Sequence, residues 1–381
     1  MTRPRHLLAL AALTSAGSVL ALSTLTTPAG ATAHPDANRQ FLQTNLVSDI
    51  PGLAAHTDPN LRNPWGTSTG PGLPIWVSDN AQGVTTLYDG AGNPQPGPKE
   101  SLVVRIPAPA SAGPGTVGTP TGTAFNPSSG GFVVTKAGIS GSSRFLFATE
   151  DGTLVGWNPA VDRTHAVTAV DRSGVTDPAG DVGAIYKGLA LATTSAGEFL
   201  YATNFRFGQV EMFDTSFNLV KTFTDAGIPT GFAPFGIHNI GGRLFVTFAK
   251  QDIDKHDDVA GPGNGFVDVF STNGDLLHRF ASRGKLNSPW AVTLAPASFG
   301  AAAGDILVGN FGSGRIDSYT ATSGEPEGQL RDASDHPITI PGLWGLRFPT
   351  GSLNAAPGAL YFTAGINHEA DGLLGDIVPQ P

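Results

Sequence analysis

Residues 250–264 concentrate side chains that could bind a metal ion. They include Asp252, Asp254, His256, Asp257 and Asp258. Alternating carboxylates can converge on a hard cation such as Ca²⁺, which takes about six to eight oxygen ligands. The EF-hand pattern is not met, because the sixth position counted from Asp252 is Asp257, where that pattern requires glycine. The alternative interpretation, a solvated acidic loop, is the commoner role of such charge runs and is favoured here.

A second polar stretch, residues 367–372, contains His368, Glu369 and Asp371. His256 and His368 would supply nitrogen ligands for a mixed nitrogen and oxygen site. The H-E-x-x-H spacing of many zinc enzymes is absent, which makes zinc the weaker interpretation. Turn capping by Glu369 and Asp371 is the structural alternative.

Polar residues also follow several apolar triplets, as Asp79, Glu150, Asn204 and Asn310 do. Arranged around a channel, such groups would coordinate a central cation, with Ca²⁺ the expected ion. Asp and Asn are equally the common turn formers, and the sequence favours that structural role. The candidate metal ligands are Asp79, Asn204, His256, Asp257, Asn310 and Glu369.

These polar residues recur because the chain contains six copies of a repeat about 58 residues long, measured from Gly83 to Gly372. Each copy has an apolar triplet, a polar loop and then a glycine, followed five residues later by a large apolar residue. The triplets are Ile75-Trp76-Val77, Phe145-Leu146-Phe147, Phe199-Leu200-Tyr201, Leu244-Phe245-Val246, Ile306-Leu307-Val308 and Leu360-Tyr361-Phe362. In the second copy, Phe132-Val133-Val134-Thr135 competes with the triplet for the same strand.

Each copy reads as a hairpin with a strand on either side. The strand before it opens at Trp65-Gly66 in the first copy, and a more polar strand follows most copies. Four strands repeated radially predict an all-β, six-bladed β-propeller. The last copy lacks its fourth strand, and residues 41–47 offer a spare one, which would close the ring and remove an open edge. Residues 34–381 are therefore expected to form a single domain.

The copies resemble the NHL class of six-bladed propellers, most closely at Gly314-Arg315-Ile316-Asp317-Ser318-Tyr319. More narrowly, four segments are similar to an uncharacterised family of exported bacterial propeller proteins. They are Asn63-Pro64-Trp65-Gly66, the run from Lys250 to Phe270, Ser288-Pro289-Trp290, and Leu360 to Gly375. The resemblance implies the fold and export, and it implies no activity. His368 stands where an acidic residue is expected in relatives.

The N-terminal segment has the pattern of a signal peptide. Arg3 and Arg5 precede an apolar stretch, and Ala31-Thr32-Ala33 matches a cleavage site, so we expect residues 1–33 to be removed and the protein to be secreted. The remaining 20 basic and 31 acidic residues give a net charge of −11. Nucleic acid and anionic membranes are therefore disfavoured as partners. We expect a monomer whose partner is an extracellular protein or glycan.

Several catalytic classes are excluded or weakened. Cysteine is absent, which excludes thiolate nucleophiles and disulfides. Gly66-Thr67-Ser68-Thr69-Gly70 matches G-x-S-x-G, but Pro71 and the residues after it cannot start the helix that a nucleophile elbow requires. A quinone-cofactor sugar dehydrogenase would need basic residues that the loops rarely offer.

We favour a non-catalytic binding or scaffold propeller, since no dense catalytic motif is present. The alternative is a metal-dependent hydrolase or lactonase at the channel mouth, with His256 or His368 as general base.

Overall fold

The computed structural model describes residues 40–97, 101–349 and 351–380, and the predicted signal peptide lies outside them. Within them, six sheets carry the six copies of the repeat, one copy per sheet. The innermost strands contact one another in sequence, and the last contacts the first, so the sheets close into a ring. The predicted six-bladed β-propeller is therefore confirmed.

Strands β1 (Phe41–Ser48) and β2 (His56–Thr57) precede the blades. The blades follow in chain order, each beginning with its innermost strand: β3 (Pro64–Ser68), β4 (Ile75–Asp79), β5 (Val84–Tyr88) and β6 (Val104–Arg105) in blade one; β7 (Pro120–Phe125), the added hairpin β8 (Val133–Lys136) and β9 (Ile139–Ser142), then β10 (Phe145–Thr149), β11 (Thr153–Trp157) and β12 (Val167–Asp171) in blade two; β13 (Tyr186–Thr194), β14 (Gly197–Asn204), β15 (Gln209–Phe213) and β16 (Leu219–Phe223) in blade three; β17 (Phe232–Ile240), β18 (Arg243–Lys250), β19 (Gly265–Ser271) and β20 (Leu276–Ser282) in blade four; β21 (Pro289–Leu294), β22 (Ile306–Asn310), β23 (Ile316–Tyr319) and β24 (Pro326–Gln329) in blade five; β25 (Leu343–Arg347), β26 (Leu360–Gly365) and β27 (Asp371–Pro379) in blade six.

Short helical turns lie at Asn80–Gln82, Gly300–Ala302 and Ile366–Glu369. The competing segment in copy two forms the separate hairpin β8–β9, so Phe145–Phe147 keeps its place as the second strand of the blade.

Strand β1 closes the ring, as the sequence predicts. It pairs antiparallel with β27 from Phe41 opposite Pro379 to Ser48 opposite Leu373, and it supplies the fourth strand of blade six. Phe41 is buried and its ring centroid lies 4.9 Å from that of Phe299 in blade five. By pairing with β27, β1 covers the outer edge that blade six would otherwise leave open.

The core consists of apolar residues that recur in every blade. The residues five positions past each turn glycine are all buried, which confirms their structural role: Tyr88, Trp157, Phe213, Phe270, Tyr319 and Ile377. On the innermost strands a small residue is needed because neighbouring strands approach closely. A Cβ atom added at Gly66 would lie 2.6 Å from the Thr121 carbonyl oxygen. No helix among the described residues has the length and apolar character needed to span a bilayer.

Candidate functional site

The central channel is blocked by aromatic side chains from the starts of the innermost strands. Trp65 and Trp344 stack with ring centroids 3.4 Å apart, and Trp290 meets both rings edge-on. Phe235 contacts Trp344 from blade four, and all four side chains are buried. We call these four residues the aromatic plug. It separates two ends of the channel that have different chemistry.

In blade three, the position that corresponds to the aromatic plug residues is occupied by Lys187. Its side chain is only 2% exposed, and its ammonium lies 2.5 Å from Glu150 Oε1 and 3.2 Å from Asp257 Oδ1. The same ammonium lies 5.2 Å from the centroid of the Trp65 ring, a cation–π distance. A buried cation thus joins the loops of blades two and four beneath one mouth of the channel.

His256 and Asp257 reach this mouth from the long loop of blade four. The loop folds back on itself because Asp252 Oδ1 accepts the His256 backbone N–H at 2.8 Å, and the Asp252 N–H donates to the Asp257 carbonyl at 2.8 Å. His256 Nδ1 lies 2.9 Å from Asp257 Oδ1. One ligand atom each from Glu150, His256 and Asp257 fall within 4.8 Å of one another.

Glu369 reaches the same mouth from blade six on an unusual turn. Asn367, His368 and Glu369 have φ values of 54°, 57° and 65°, so three consecutive residues that are not glycine are left-handed. This conformation is costly for residues with a Cβ atom and is often found at functional sites. Asn367 Nδ2 donates to Asp371 Oδ2 at 2.8 Å, which holds the turn, and Glu369 is largely buried while His368 is exposed.

The pKa values in this cluster are coupled through close charges. Burial alone would lower the pKa of Lys187, but the Glu150 and Asp257 carboxylates outweigh it and raise that pKa. The hydrogen bond from His256 lowers the pKa of Asp257, and the same contact raises the pKa of His256. Burial, followed by repulsion from Glu150, raises the pKa of Glu369 to about 7. We call Glu150, Lys187, His256, Asp257 and Glu369 the charged mouth.

The remaining sequence candidates lie inside the blades. Asp79, Asn204 and Asn310 are fully buried, and each is hydrogen-bonded to the residue seven positions later on the next strand. Asp79 Oδ2 accepts from Thr86 at 2.8 Å, Asn204 Nδ2 donates to Glu211 at 2.9 Å, and Asn310 Nδ2 donates to Asp317 at 2.9 Å. These contacts fit the turn-forming alternative, and they hold the three side chains within their own blades.

The structure therefore unites three of the six predicted ligands, His256, Asp257 and Glu369, and adds Glu150 and Lys187. Sequence reasoning noted Glu150 only among the polar strand ends. No role is assigned to Lys187 from the sequence. The signal that could have found it is a charge at a repeat position that is aromatic in four of the other copies.

The sequence of this chain is similar to those of two viral proteins. No family model matches it. Uncharacterized proteins R648 and L690 of Acanthamoeba polyphaga mimivirus are each 34% identical to it, over 339 and 346 residues; both alignments cover 87% of this chain, and they cover 78% and 84% of the relatives. From the sequence we expect relatives in an exported bacterial family, whereas these relatives are viral proteins. Export therefore stays a prediction.

Among solved structures, that of a streptogramin B lyase is similar with a TM-score of 0.48 and 10% sequence identity, covering 91% of this chain and 100% of that one. Identity this low carries no activity from one protein to the other.

Proposed function

This chain belongs to the same family as the mimivirus proteins R648 and L690, and, since their descriptions state no activity, we propose from its geometry that it is an exported, non-catalytic binding protein that holds a glycan at the charged mouth. The observation that carries the proposal is the position of Lys187, whose ammonium lies between Glu150 and Asp257 and fills the place of a bound cation.

The resident ammonium supports an organic ligand over a metal ion. A divalent cation held by Glu150 and Asp257 would lie close to the positive charge of Lys187. Because the Lys187 and Glu150 side chains are largely buried, water screens the repulsion between the two cations poorly. Because its pKa is raised, Lys187 stays protonated at neutral pH and is neither a nucleophile nor a Schiff-base former.

The outward groups of the mouth suit a polyhydroxylated ligand. The side chains of His256 and Asp257 are 44% and 65% exposed above the buried lysine. Sugar hydroxyls both donate and accept hydrogen bonds, and a carboxylate beside an imidazole offers both partners. Charge-assisted hydrogen bonds of this kind are roughly twice as strong as neutral ones.

A single carboxamide substitution tests the binding proposal. Asp257→Asn keeps the shape of the side chain and removes its charge, so we expect binding to a glycan array to weaken about tenfold for the glycans that the wild type retains. Asp254→Asn, in an exposed part of the same loop, is the matched control and should bind as the wild type does. Equal binding by wild type and Asp257→Asn, or no glycan retained by the wild type, contradicts the proposal.

The second candidate is a hydrolase or lactonase at the same mouth, metal-dependent if a cation displaces or joins Lys187. It is favoured by Glu369, whose pKa of about 7 suits a general acid or base at neutral pH. Thermal unfolding with EDTA and then with Ca²⁺, Mg²⁺ or Zn²⁺ separates the candidates, because a cation that binds only the folded state raises the melting temperature. A shift with one cation, together with turnover of lactones that is lost in Glu369→Gln, would favour the enzyme.

A further inference from the structure

The end of the channel opposite the charged mouth is an open cavity. Its volume is about 430 Å³, and it is lined by the last residues of the innermost strands of all six blades. Pockets of about 300–1,000 Å³ commonly hold small molecules. We call this cavity the bowl, and the side chains that matter for its chemistry are those of Arg347, His238, Ser68 and Thr123.

Arg347 brings an unneutralised positive charge to the bowl. Its Nε donates to the Thr67 carbonyl at 2.8 Å, and among the described residues no carboxylate forms an ion pair with its guanidinium. Burial lowers the pKa of Arg347 to about 10, and no neighbouring acid opposes that shift. A guanidinium that is largely buried, faces a cavity and lacks an acidic partner is suited to an anion supplied from outside.

His238 lies beside this cation. Its Nε2 is 3.2 Å from the Trp290 carbonyl oxygen, so the neutral ring donates there and leaves Nδ1 without its proton. Burial, and then repulsion from Arg347, lower the pKa of His238 to about 4. The remaining charged group of the lining, Glu198, lies on β14, and burial is the one cause that raises its pKa. Among the described residues, no ion pair joins Glu198 to Arg347.

We propose that the bowl is a binding site for a small oxyanion, a carboxylate or phosphate group on a molecule of a few hundred Å³, held by the Arg347 guanidinium. His238 becomes a second donor when its Nδ1 takes up a proton together with the anion. The planar guanidinium can donate two parallel hydrogen bonds to such a group. Ser68 and Thr123 are hydrogen-bonded to each other, with their hydroxyl oxygens 3.0 Å apart, which leaves one further O–H donor on the wall. This site lies across the aromatic plug from the charged mouth and is independent of the function proposed there.

Calorimetry at fixed ionic strength measures the binding of three probes: sodium phosphate, sodium citrate and sodium gluconate. Glycerol is the neutral comparison. We expect at least one anion to bind the wild type and Arg347→Met to bind it at least tenfold more weakly. Lys250→Met removes an exposed positive charge at the opposite end of β18 from the bowl and should bind as the wild type does. Phosphate binding alone would identify a phosphate group as the ligand chemistry, and citrate or gluconate binding alone a carboxylate.

A titration of His238 by NMR tests the site without any substitution. A bound anion favours the imidazolium, so saturating probe should raise the pKa of His238 from about 4 toward or above its ordinary value of 6.5. No binding of any probe at about 10 mM, where a site with a Kd of about 1 mM would be nearly saturated, would overturn the proposal. So would equal affinity of wild type and Arg347→Met, or a His238 pKa that the bound anion leaves unchanged.

Discussion

Individual residues of the charged mouth balance one another through short contacts. Lys187 compensates Glu150 and Asp257, and both of those acids come from loops of other blades. Breaking a buried ion pair leaves an uncompensated charge, which costs more than the pair contributes. Glu369 has no cation of its own at hydrogen-bond distance among the described residues, and its raised pKa follows from that position.

Glu369 makes the stability of the protein depend on pH. Its folded pKa of about 7 lies above the ordinary 4.5, so the folded protein keeps a proton that the unfolded chain loses between these pH values. Stability should therefore fall as pH rises from about 4.5 to 7. Glu369→Gln cannot ionise, and we expect it to gain about 2 kcal/mol on the wild type between pH 4.5 and pH 8, less than the full shift implies because the side chain is partly exposed.

Urea unfolding of both proteins at the two pH values measures this difference. Glu325→Gln, an exposed site in blade five, controls for the loss of one acidic residue. A constant difference between Glu369→Gln and the wild type across this range would show that Glu369 is not the titrating group.

At the scale of the element, the turn Ile366–Glu369 stores conformational strain in order to direct Glu369 into the mouth. His368, which is exposed, contributes part of this strain because its φ is 57° and its ψ is 47°. Its side chain is directed to solvent, so its hypothesised role as a general base remains a prediction that this conformation does not support.

Substituting glycine within this turn should reveal the strain. His368→Gly relieves a left-handed residue, and we expect it to stabilise the protein by about 0.5–1 kcal/mol despite the greater flexibility of the unfolded chain. Ala370→Gly, two positions later and at an ordinary φ of −73°, should destabilise it by a similar amount. Chemical denaturation measures both, and a loss of stability in both variants would mean that the turn is not strained.

At the scale of the whole molecule, ring closure by β1 connects the start of the described chain to blade six. The strand alternates between core and solvent at its beginning: Phe41 is 3% exposed and Leu42 is 51% exposed. Phe41 also contacts Phe299 in blade five. Its burial therefore stabilises the packing of β1 against blade five as well as the blade that β1 completes.

Substitution of Phe41 should therefore destabilise the entire propeller. We expect Phe41→Ala to cost about 3 kcal/mol, in the usual range for a buried phenylalanine, and Leu42→Ala on the same strand to cost less than about 0.5 kcal/mol. Thermal or urea unfolding measures both values. Equal effects of the two substitutions would show that β1 does not close the ring as described.

Much of the architecture could be predicted from the sequence because the information is local. Each copy carries its own apolar triplet, its turn glycine and its buried residue five positions later, and Phe41 begins a strand with the composition to complete blade six. Copy two was ambiguous because Phe132–Thr135 has strand composition as well. The choice depended on which segment could pair with β7 and β11, which is a tertiary contact.

The sequence by itself determined the repeat, the blade count and the loops that carry charge, because hydrophobic period and turn residues are properties of adjacent positions. Tertiary structure alone decided which charges meet. Lys187 lies 37 residues from Glu150 and 70 from Asp257, and only the packing of blades two, three and four around the channel brings them together. Arg347 likewise reads as an ordinary cation at a strand end, and only the shape of the bowl reveals that no acid neutralises it. Distance in space and burial set electrostatic energies, and spacing along the chain encodes neither.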